Sequence, residues 1–155
     1  MTFFRESDAV SGKYAKAFAI INGRKEELFY AKSLESTIEK NKVDVPVLGK
    51  VNTPKRSTGW SGTGSMTVYY VTSAFRLLMH RYIKTGQDFW FDLQVTNEDP
   101  SSSTGKQTVV LINCNIDSIT AAQFDTSSDD MLEEEIPFTF SDYDLLDKFN
   151  TITGV

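Results

Sequence analysis

Cysteine and histidine are the scarcest residues in this chain of 155, with one of each. A single cysteine, Cys114, excludes an internal disulfide framework and a Cys-x-x-Cys metal site. A single histidine, His80, leaves no second imidazole for a metal, and no Gly-x-Ser-x-Gly elbow accompanies it as a partner for nucleophilic catalysis. We therefore expect no catalytic residue, no bound metal and no cofactor.

Long apolar runs are also missing. No segment approaches the length that a membrane-spanning helix needs, and no signal peptide opens the sequence. The expectation is a protein without a membrane anchor that is made inside a cell and leaves it, if at all, by lysis. At 17.4 kDa, with 12% aromatic and 24% charged residues, the chain is predicted to form one globular domain over residues 1–155.

Charge is unevenly distributed along the chain, although the net charge is only −5. Residues 1–106 contain 15 basic and 11 acidic residues, whereas residues 107–155 contain 10 acidic residues and a single base, Lys148. This polarity has two interpretations. The acidic part is simply solvated, or the basic part of one copy meets the acidic part of the next.

The stretch from residue 34 to residue 71 predicts one long β-hairpin. Apolar residues fall on even positions up to Ile38 and on odd positions from Val43, so the strand pattern needs one extra residue, a β-bulge, between Glu39 and Lys42. Residues 66–71 alternate again as the returning strand. The Gly-rich and Ser-rich residues 49–62 between them are predicted to form a loop that is too long for a tight turn.

The rest of the chain favours strands over helices. Residues 1–14 are predicted to form an extended arm, and Asn22-Gly23 marks a hairpin turn after a first strand. One helix is predicted over residues 72–85, where a polar N-cap precedes an apolar stripe and Gly86 follows as a stop. The pattern indicates a mainly β fold, a β-sandwich or barrel with one flanking helix and a long protruding hairpin. Its further strands are expected near residues 15–21, 27–31, 89–95, 108–116, 119–124 and 136–140.

Few residues in the sequence suggest chemistry. Glu133 and Glu135 would share one strand face, which indicates a solvated or interface charge rather than an acid–base pair. A weak basic patch with one aromatic falls in the 49–62 loop, and it leaves a second function open, a small β-barrel module that binds single-stranded nucleic acid. An acidic protein with three scattered cations argues against that alternative. The residues of the patch are Lys50, Lys55, Arg56 and Trp60.

Several segments together resemble a known family. They are Ser11-Gly-Lys followed by Ala17-Phe-Ala, most of the run from Phe29 to Gly49, the run from Gly59 to Ser73, and Asp92 to Pro100. From about Ser11 to Phe149 the chain resembles the tail tube protein of contractile-tailed phages, of phage-like elements of the PBSX type and of R-type bacteriocins of Gram-positive bacteria.

The resemblance implies a structural virion component. Such proteins form six-membered rings that stack into a hollow tube, with long strands of neighbouring subunits joined in one barrel. The implied partners are other copies of the chain, a sheath protein, baseplate and tail-terminator proteins, and a tape-measure protein or DNA in the lumen. The tube is a conduit for DNA or ions. The 49–62 loop, with Lys50, Lys55, Arg56 and Trp60, is then expected to mediate ring stacking. The lumen is expected to be lined by Glu35, Thr37 and Glu39; in the alternative, these acids lie on the outside of the tube and pair with Lys40 and Lys42 of neighbouring subunits.

Overall fold

The computed structural model describes residues 5–28 and 30–151. The first four residues of the predicted arm therefore lie outside the described part. Strands dominate and one α-helix is present among the described residues, so the prediction of a mainly β fold with a flanking helix and a long hairpin is confirmed. The elements are β1 (Ala15–Ile21), β2 (Arg24–Glu27), β3 (Ala31–Asp44), β4 (Lys55–Tyr69), α1 (Ala74–Thr85), β5 (Phe91–Glu98), β6 (Lys106–Ile116), β7 (Glu133–Phe140) and β8 (Asp142–Asp147).

Strand pairing is antiparallel throughout, in the order β2-β1-β5-β6-β7-β4-β3, with β8 added on β6. The sheet has two halves, β2-β1-β5-β6 with β8, and β6-β7-β4-β3. β6 belongs to both, because its first part pairs with β5 and β8 and its last two residues pair with β7. Between these parts Asn113 has a positive φ of 56° and its N–H donates to Asp92 Oδ1 at 3.1 Å. This bulge redirects β6 from one half of the sheet to the other.

The hydrophobic core contains residues from both halves of the sheet and from α1. Large side chains fill it, and the rings of Phe75 on α1 and Phe91 on β5 lie 6.1 Å apart. Burial of each such side chain contributes about 1.5–3 kcal/mol, which holds the two halves face to face. The buried apolar residues are Ala19, Leu28, Met66, Val68, Phe75, Phe91, Leu93, Leu111, Cys114, Ile116, Ile136, Phe138 and Phe140.

Two predicted chain reversals are present where the sequence places them. Asn22 and Gly23 both have positive φ angles, 52° and 79°, as a two-residue turn between β1 and β2 requires. Gly86 ends α1 in the left-handed conformation, and its N–H donates to Tyr82 O at 2.8 Å. The apolar stripe of the helix is buried less than its pattern suggests, because Phe75 is its one buried residue while Tyr82 and Ile83 are exposed.

The hairpin differs from its prediction in two respects. The predicted loop 49–62 is wrong: β4 begins at Lys55, and the connection between β3 and β4 spans residues 45–54. A bulge is present at the predicted place, but the extra residue is Thr58 on β4, because Asn41 pairs with Gly59 and Lys42 pairs with Ser57. The alternation of apolar residues indicates where the pairing register between β3 and β4 shifts. It does not indicate which of the two strands carries the extra residue.

Two further segments also differ from the expectation. Residues 119–124, predicted as a strand, have no strand pairing, whereas residues 142–147 form β8. The described part of the predicted extended arm forms two short 3₁₀ turns, Glu6–Asp8 and Gly12–Tyr14. Hydrogen bonds hold this arm against the 99–104 loop, from Ser11 N to Asp99 Oδ2 at 2.9 Å and from Ser103 N to Ser7 O at 2.7 Å.

Candidate functional site

The part of the hairpin that extends beyond the core, residues 35–61, is called the distal hairpin here. Every residue in it is exposed except Pro54. β3 is the last strand in the order of the sheet, so its outer edge pairs with no other described strand. A long exposed ribbon with a free edge and apolar side chains is typical of a segment that packs against other chains. Its exposed large apolar residues are Ile38, Val43, Val45, Val47, Leu48, Val51 and Trp60.

The three predicted lumen residues share one face of the sheet, which we call the outer face. Alternation places them opposite to Leu34, whose side chain packs against the core. The residues paired with them on β4 are small and hydroxylated, so the outer face is polar across both strands. The pairs are Glu35 with Ser65, Thr37 with Thr63, and Glu39 with Ser61.

The outer face continues onto β7 with the same chemistry. Thr63 pairs with Thr139 and Thr67 pairs with Glu135. At the base of the face Lys32 Nζ lies 2.7 Å from Glu133 Oε1, and this bond raises the pKa of the lysine. Because the charge of Lys32 is balanced by Glu133, the other named residues of the outer face, which are hydroxylated or acidic, make this face polar and negative.

The inner face of the hairpin is built from glycines and aromatic rings. A Cβ atom at Gly62 would lie 2.5 Å from the Phe140 ring, and one at Gly64 would lie 2.6 Å from the Phe138 ring. These glycines therefore allow the two rings of β7 to lie directly on β4. Further out, the Trp60 ring is 6.2 Å from that of Phe140 and remains 41% exposed.

A groove of about 550 Å³ lies between the distal hairpin and the start of β8. Ile38, Trp60 and Tyr143 contribute apolar surface to it, and each of them is exposed. Lys40 and Asp142 line the same groove and add one charge of each sign. The groove therefore offers an apolar surface with polar margins, which suits a contact with a protein chain.

The residues predicted for ring stacking do not form one patch. Lys50 lies in the connection, and its N–H donates to Val47 O at 3.3 Å. Lys55 begins β4 and its Nζ lies 3.8 Å from Asp44 Oδ1, while Arg56 follows it on the same strand. Trp60 lies four residues further along, roughly 13 Å from Arg56. The arrangement therefore gives no continuous basic and aromatic surface of the kind that binds single-stranded nucleic acid.

A buried ion pair that was not predicted from the sequence attaches α1 to the sheet. Arg76 Nη1 lies 2.7 Å from Glu134 Oε2, and the guanidinium also donates to Thr72 O and stacks 4.3 Å from the centre of the Tyr70 ring. The Glu134 side chain is 1% exposed. The signal was present in the alternation of β7, because Glu134 shares the face of Ile136 and opposes that of its two acidic neighbours.

Cys114 lies in the core and its Sγ is 3.4 Å from Leu111 O. Burial raises the pKa of the thiol to about 12, so the reactive thiolate is scarce at neutral pH. Within residues 5–28 and 30–151, no group of three or more His, Cys, Asp or Glu residues is placed to hold a metal ion. None of the helices in those same ranges combines the length and apolarity needed to cross a membrane.

Comparison with known proteins gives a consistent match. The model of a family described as phage tail tube protein matches residues 2–147. A protein of Bacillus subtilis (strain 168), the phage-like element PBSX protein XkdM, is 41% identical over 146 residues, which cover 94% of this chain and 96% of that protein.

Solved structures with a similar fold include chains of a contractile injection system and of the anti-feeding prophage. A chain of the sheath/tube terminator of the extracellular contractile injection system PVC, in its extended state, gives a TM-score of 0.70 at 15% identity over 90% of this chain and 97% of that one. A chain of the six-fold symmetrised baseplate of the anti-feeding prophage gives 0.65 at 14% identity over 89% and 95%. At these identities the likeness concerns the fold.

Proposed function

The chain belongs to the phage tail tube protein family, and from this premise we propose that it polymerises as stacked six-membered rings forming the inner tube of a contractile tail. The distal hairpin carries the proposal. Its free β3 edge and its exposed apolar residues lack partners in the described chain, and a ring that joins strands of neighbouring subunits would supply them. The six-fold symmetry of the similar anti-feeding prophage baseplate supports the ring size.

Partners and location follow from this role. The tube binds further copies of itself, a surrounding sheath, a baseplate at one end and a terminator at the other, and its lumen holds a tape-measure protein or DNA. Assembly takes place in the cytoplasm of the host bacterium, and lysis releases the particle. The tube needs neither a cofactor nor catalysis, because its activity is to assemble and to keep a channel open for DNA or ions.

Electron microscopy with negative stain and light scattering test the ring-and-tube proposal. We expect the purified protein, concentrated alone or mixed with an extract that contains tail baseplates, to form six-fold rings and rods. Trp60→Ala should fold normally and polymerise less, since Trp60 lines the groove beside Tyr143. Trp90→Ala, which removes an exposed tryptophan outside the hairpin, is the matched control. A monomer that joins no tail structure under any of these conditions would overturn the proposal.

We further propose that the outer face lines the lumen. Glu35, Thr37 and Glu39 are exposed there, beside hydroxyl groups on β4 and β7. A channel through which DNA slides must not bind phosphates, and a negative, hydroxylated wall avoids the counterion release that makes basic surfaces adhesive.

Charge reversal tests the lumen assignment. Tubes with Glu35→Lys and Glu39→Lys should assemble and then retain DNA, so that delivery slows, most strongly at low salt. The control carries Glu26→Lys and Glu27→Lys on β2, at the other end of the strand order. Delivery at the wild-type rate by the first variant, or a tube map with Glu35 on the sheath side, would refute the assignment.

A further inference from the structure

A second groove, of about 740 Å³, lies between the beginning of β3 and the beginning of β1. Residues 31–34 line it on one side and residues 15–17 on the other. It shares no residue with the groove beside Trp60. We call it the seam groove, because it separates two strands that the pairing order of the sheet leaves unconnected.

Both walls of the seam groove are strand edges with unpaired residues. β3 pairs only with β4 in the described chain, so its other edge has no strand partner there. β1 pairs with β5 over residues 15–20 but with β2 only from Phe18 onwards, which leaves Ala15 and Lys16 without a described strand on that side. Alternate residues of such an edge direct their N–H and C=O groups outward. The groove therefore offers backbone hydrogen bonds to an added strand.

The floor of the seam groove is apolar. Ala17, Leu28 and Leu34 line it, and all three belong to the core or pack against it. Val95 on β5 pairs with Ala17 and adds a further aliphatic side chain. Residues 31–34 span roughly 13 Å, so about four residues of an extended chain fit along this wall. Every second side chain of such a segment would rest on the floor.

The charged residues of the seam groove are mostly basic. Lys13, Lys16 and Lys32 line it together with one acid, Glu27. Lys32 is bound to Glu133, whereas neither Lys13 nor Lys16 has an ion-pair partner among the residues that the structure describes. Two cations without partners beside an apolar floor favour a ligand that carries carboxylates.

The wall that carries Lys13 is in place before any ligand binds. The N–H of Ser11 donates to Asp99 Oδ2 at 2.9 Å, and the Ser11 hydroxyl accepts from Lys13 N at 3.3 Å. Asp99 is only 7% exposed, so this part of the arm is anchored to the body of the subunit. A wall that is already ordered reduces the entropy cost of binding.

We propose that the seam groove binds an extended acidic segment of a different protein by strand addition. The segment pairs with the edge of β3 at residues 31–34, places alternate apolar side chains on the floor and directs its carboxylates to Lys13 and Lys16. Walls of one subunit bound the groove on both sides, so it admits a single segment rather than the side of a neighbouring subunit. This inference goes beyond the proposed tube function, which concerns the distal hairpin and the outer face.

Fluorescence anisotropy with the purified subunit tests the site. The probe is a fluorescein-labelled hexapeptide of alternating glutamate and valine. Lys13→Glu with Lys16→Glu should weaken its binding at least tenfold, because both cations are reversed. The matched control, Arg81→Glu with Lys84→Glu on α1, changes the net charge equally outside the groove and should bind as the wild type does. No binding to the wild type, or equal losses in the two variants, would overturn the proposal.

Backbone methylation of the probe separates strand addition from charge attraction. The N–H groups of alternate residues point to opposite sides of a strand, so one probe is methylated on its valine nitrogens and another on its glutamate nitrogens. At least one of them should bind tenfold more weakly than the unmodified probe, although the charge is unchanged. The unmodified probe should also slow hydrogen exchange at residues 31–34. Full binding by both methylated probes would contradict strand addition.

Rod formation tests the other source of a strand, a second copy of this chain. We expect Lys13→Glu with Lys16→Glu to form rods at the wild-type concentration, because the ligand is a different protein. Poor rod formation by this variant, or loss of wild-type rods in excess probe, would assign the groove to a second copy and overturn the proposal. The anisotropy measurement uses the free subunit, so absence of rods in every sample would overturn the tube function alone.

Discussion

The two halves of β4 have similar compositions and opposite environments. Residues 55–61 and 62–69 both contain glycine, serine and threonine, and both pair with β3. β7 pairs only with the second half, Gly62 to Tyr69, where Gly62, Met66 and Val68 are buried. An isolated two-stranded ribbon is marginally stable in water. One half therefore obtains its stability from β7 and the core of the subunit, whereas the other pairs with β3 alone.

The largest loss of stability should come from the aromatic side of the buried half. Phe138 is 1% exposed and lies on Gly64. Phe138→Ala should lower the free energy of unfolding by about 3–5 kcal/mol, because it leaves a cavity in the core. Urea unfolding measures it, with Thr139→Ala as the exposed neighbour that should change little. Similar unfolding midpoints for both variants would contradict the packing of Phe138 against the buried half of β4.

The second largest loss of stability should come from breaking the ion pair under α1. Arg76→Leu leaves the Glu134 carboxylate buried without a cation and should cost about 3 kcal/mol, at the lower end for a broken buried pair because Arg76 is 18% exposed. Adding Glu134→Leu removes the stranded charge and should recover most of the loss. A double variant less stable than Arg76→Leu alone would show that Glu134 contributes through something other than this pair.

A pH dependence should also originate in the core, at Cys114 on β6. The pKa of the Cys114 thiol is raised to about 12 in the fold, whereas an unfolded thiol has a pKa of about 8.5. Folding therefore favours the neutral thiol. Its contribution to the free energy of unfolding is complete below about pH 8.5 and declines as the pH rises towards 12. At pH 10 the loss should be about 2 kcal/mol. Unfolding of wild type and of Cys114→Ala at pH 8 and pH 10 isolates this contribution; parallel losses in both proteins would exclude it.

Matched glycine substitutions compare the two halves of β4 most directly. A Cβ atom at Gly64 would lie 2.6 Å from the Phe138 ring and 2.9 Å from Glu35 O, whereas one at Gly59 would find its nearest neighbour 4.0 Å away. Gly64→Ala should therefore destabilise the subunit by roughly 1–2 kcal/mol through overpacking, and Gly59→Ala should be close to neutral. Thermal unfolding distinguishes them, and equal destabilisation would indicate that the distal half is packed as tightly as the other.

The smallest effect should come from the ion pair in the distal half. Lys55 and Asp44 are 3.8 Å apart and each side chain is 64% exposed. Asp44→Asn should change the free energy of unfolding by less than about 1 kcal/mol. The same substitution leaves Lys55 without its Asp44 partner at the end of the hairpin, so the onset of rod formation is the more informative measurement. A loss of several kcal/mol in the isolated subunit would mean that the hairpin is stabilised from within.

Local patterns in the sequence predicted much of the fold. The Asn22-Gly23 turn and the Gly86 helix stop follow from backbone conformations that few residues adopt, so they could be read directly. The alternation of Glu35 and Glu39 against Leu34 also placed the outer face correctly as a polar face. The proposed orientation of this face towards a lumen depends on neighbouring subunits, and the alternation of side chains within one chain does not encode it.

Errors arose where a tertiary contact decides the local structure. Glycine and serine in residues 55–62 suggested a loop, but the segment pairs with β3 as a strand, and at Gly62 the Phe140 ring of β7 occupies the place of a side chain. Residues 119–124 alternate like a strand and find no partner strand, and Gln123 binds the backbone of Glu133 through its side chain instead. A single sequence contains the residues of such contacts and does not show their pairing.

The arm and the tail of the described chain are held by neighbouring residues of one loop. Ser103 N donates to Ser7 O, and Asn150 N donates to Thr104 O, each at 2.7 Å. In terms of chain topology, the described path returns at Asn150 to the same loop that it contacts at Ser7. A linker between these two positions would need to be only short, and a chain permuted in this way could be opened in another loop without cutting a core strand.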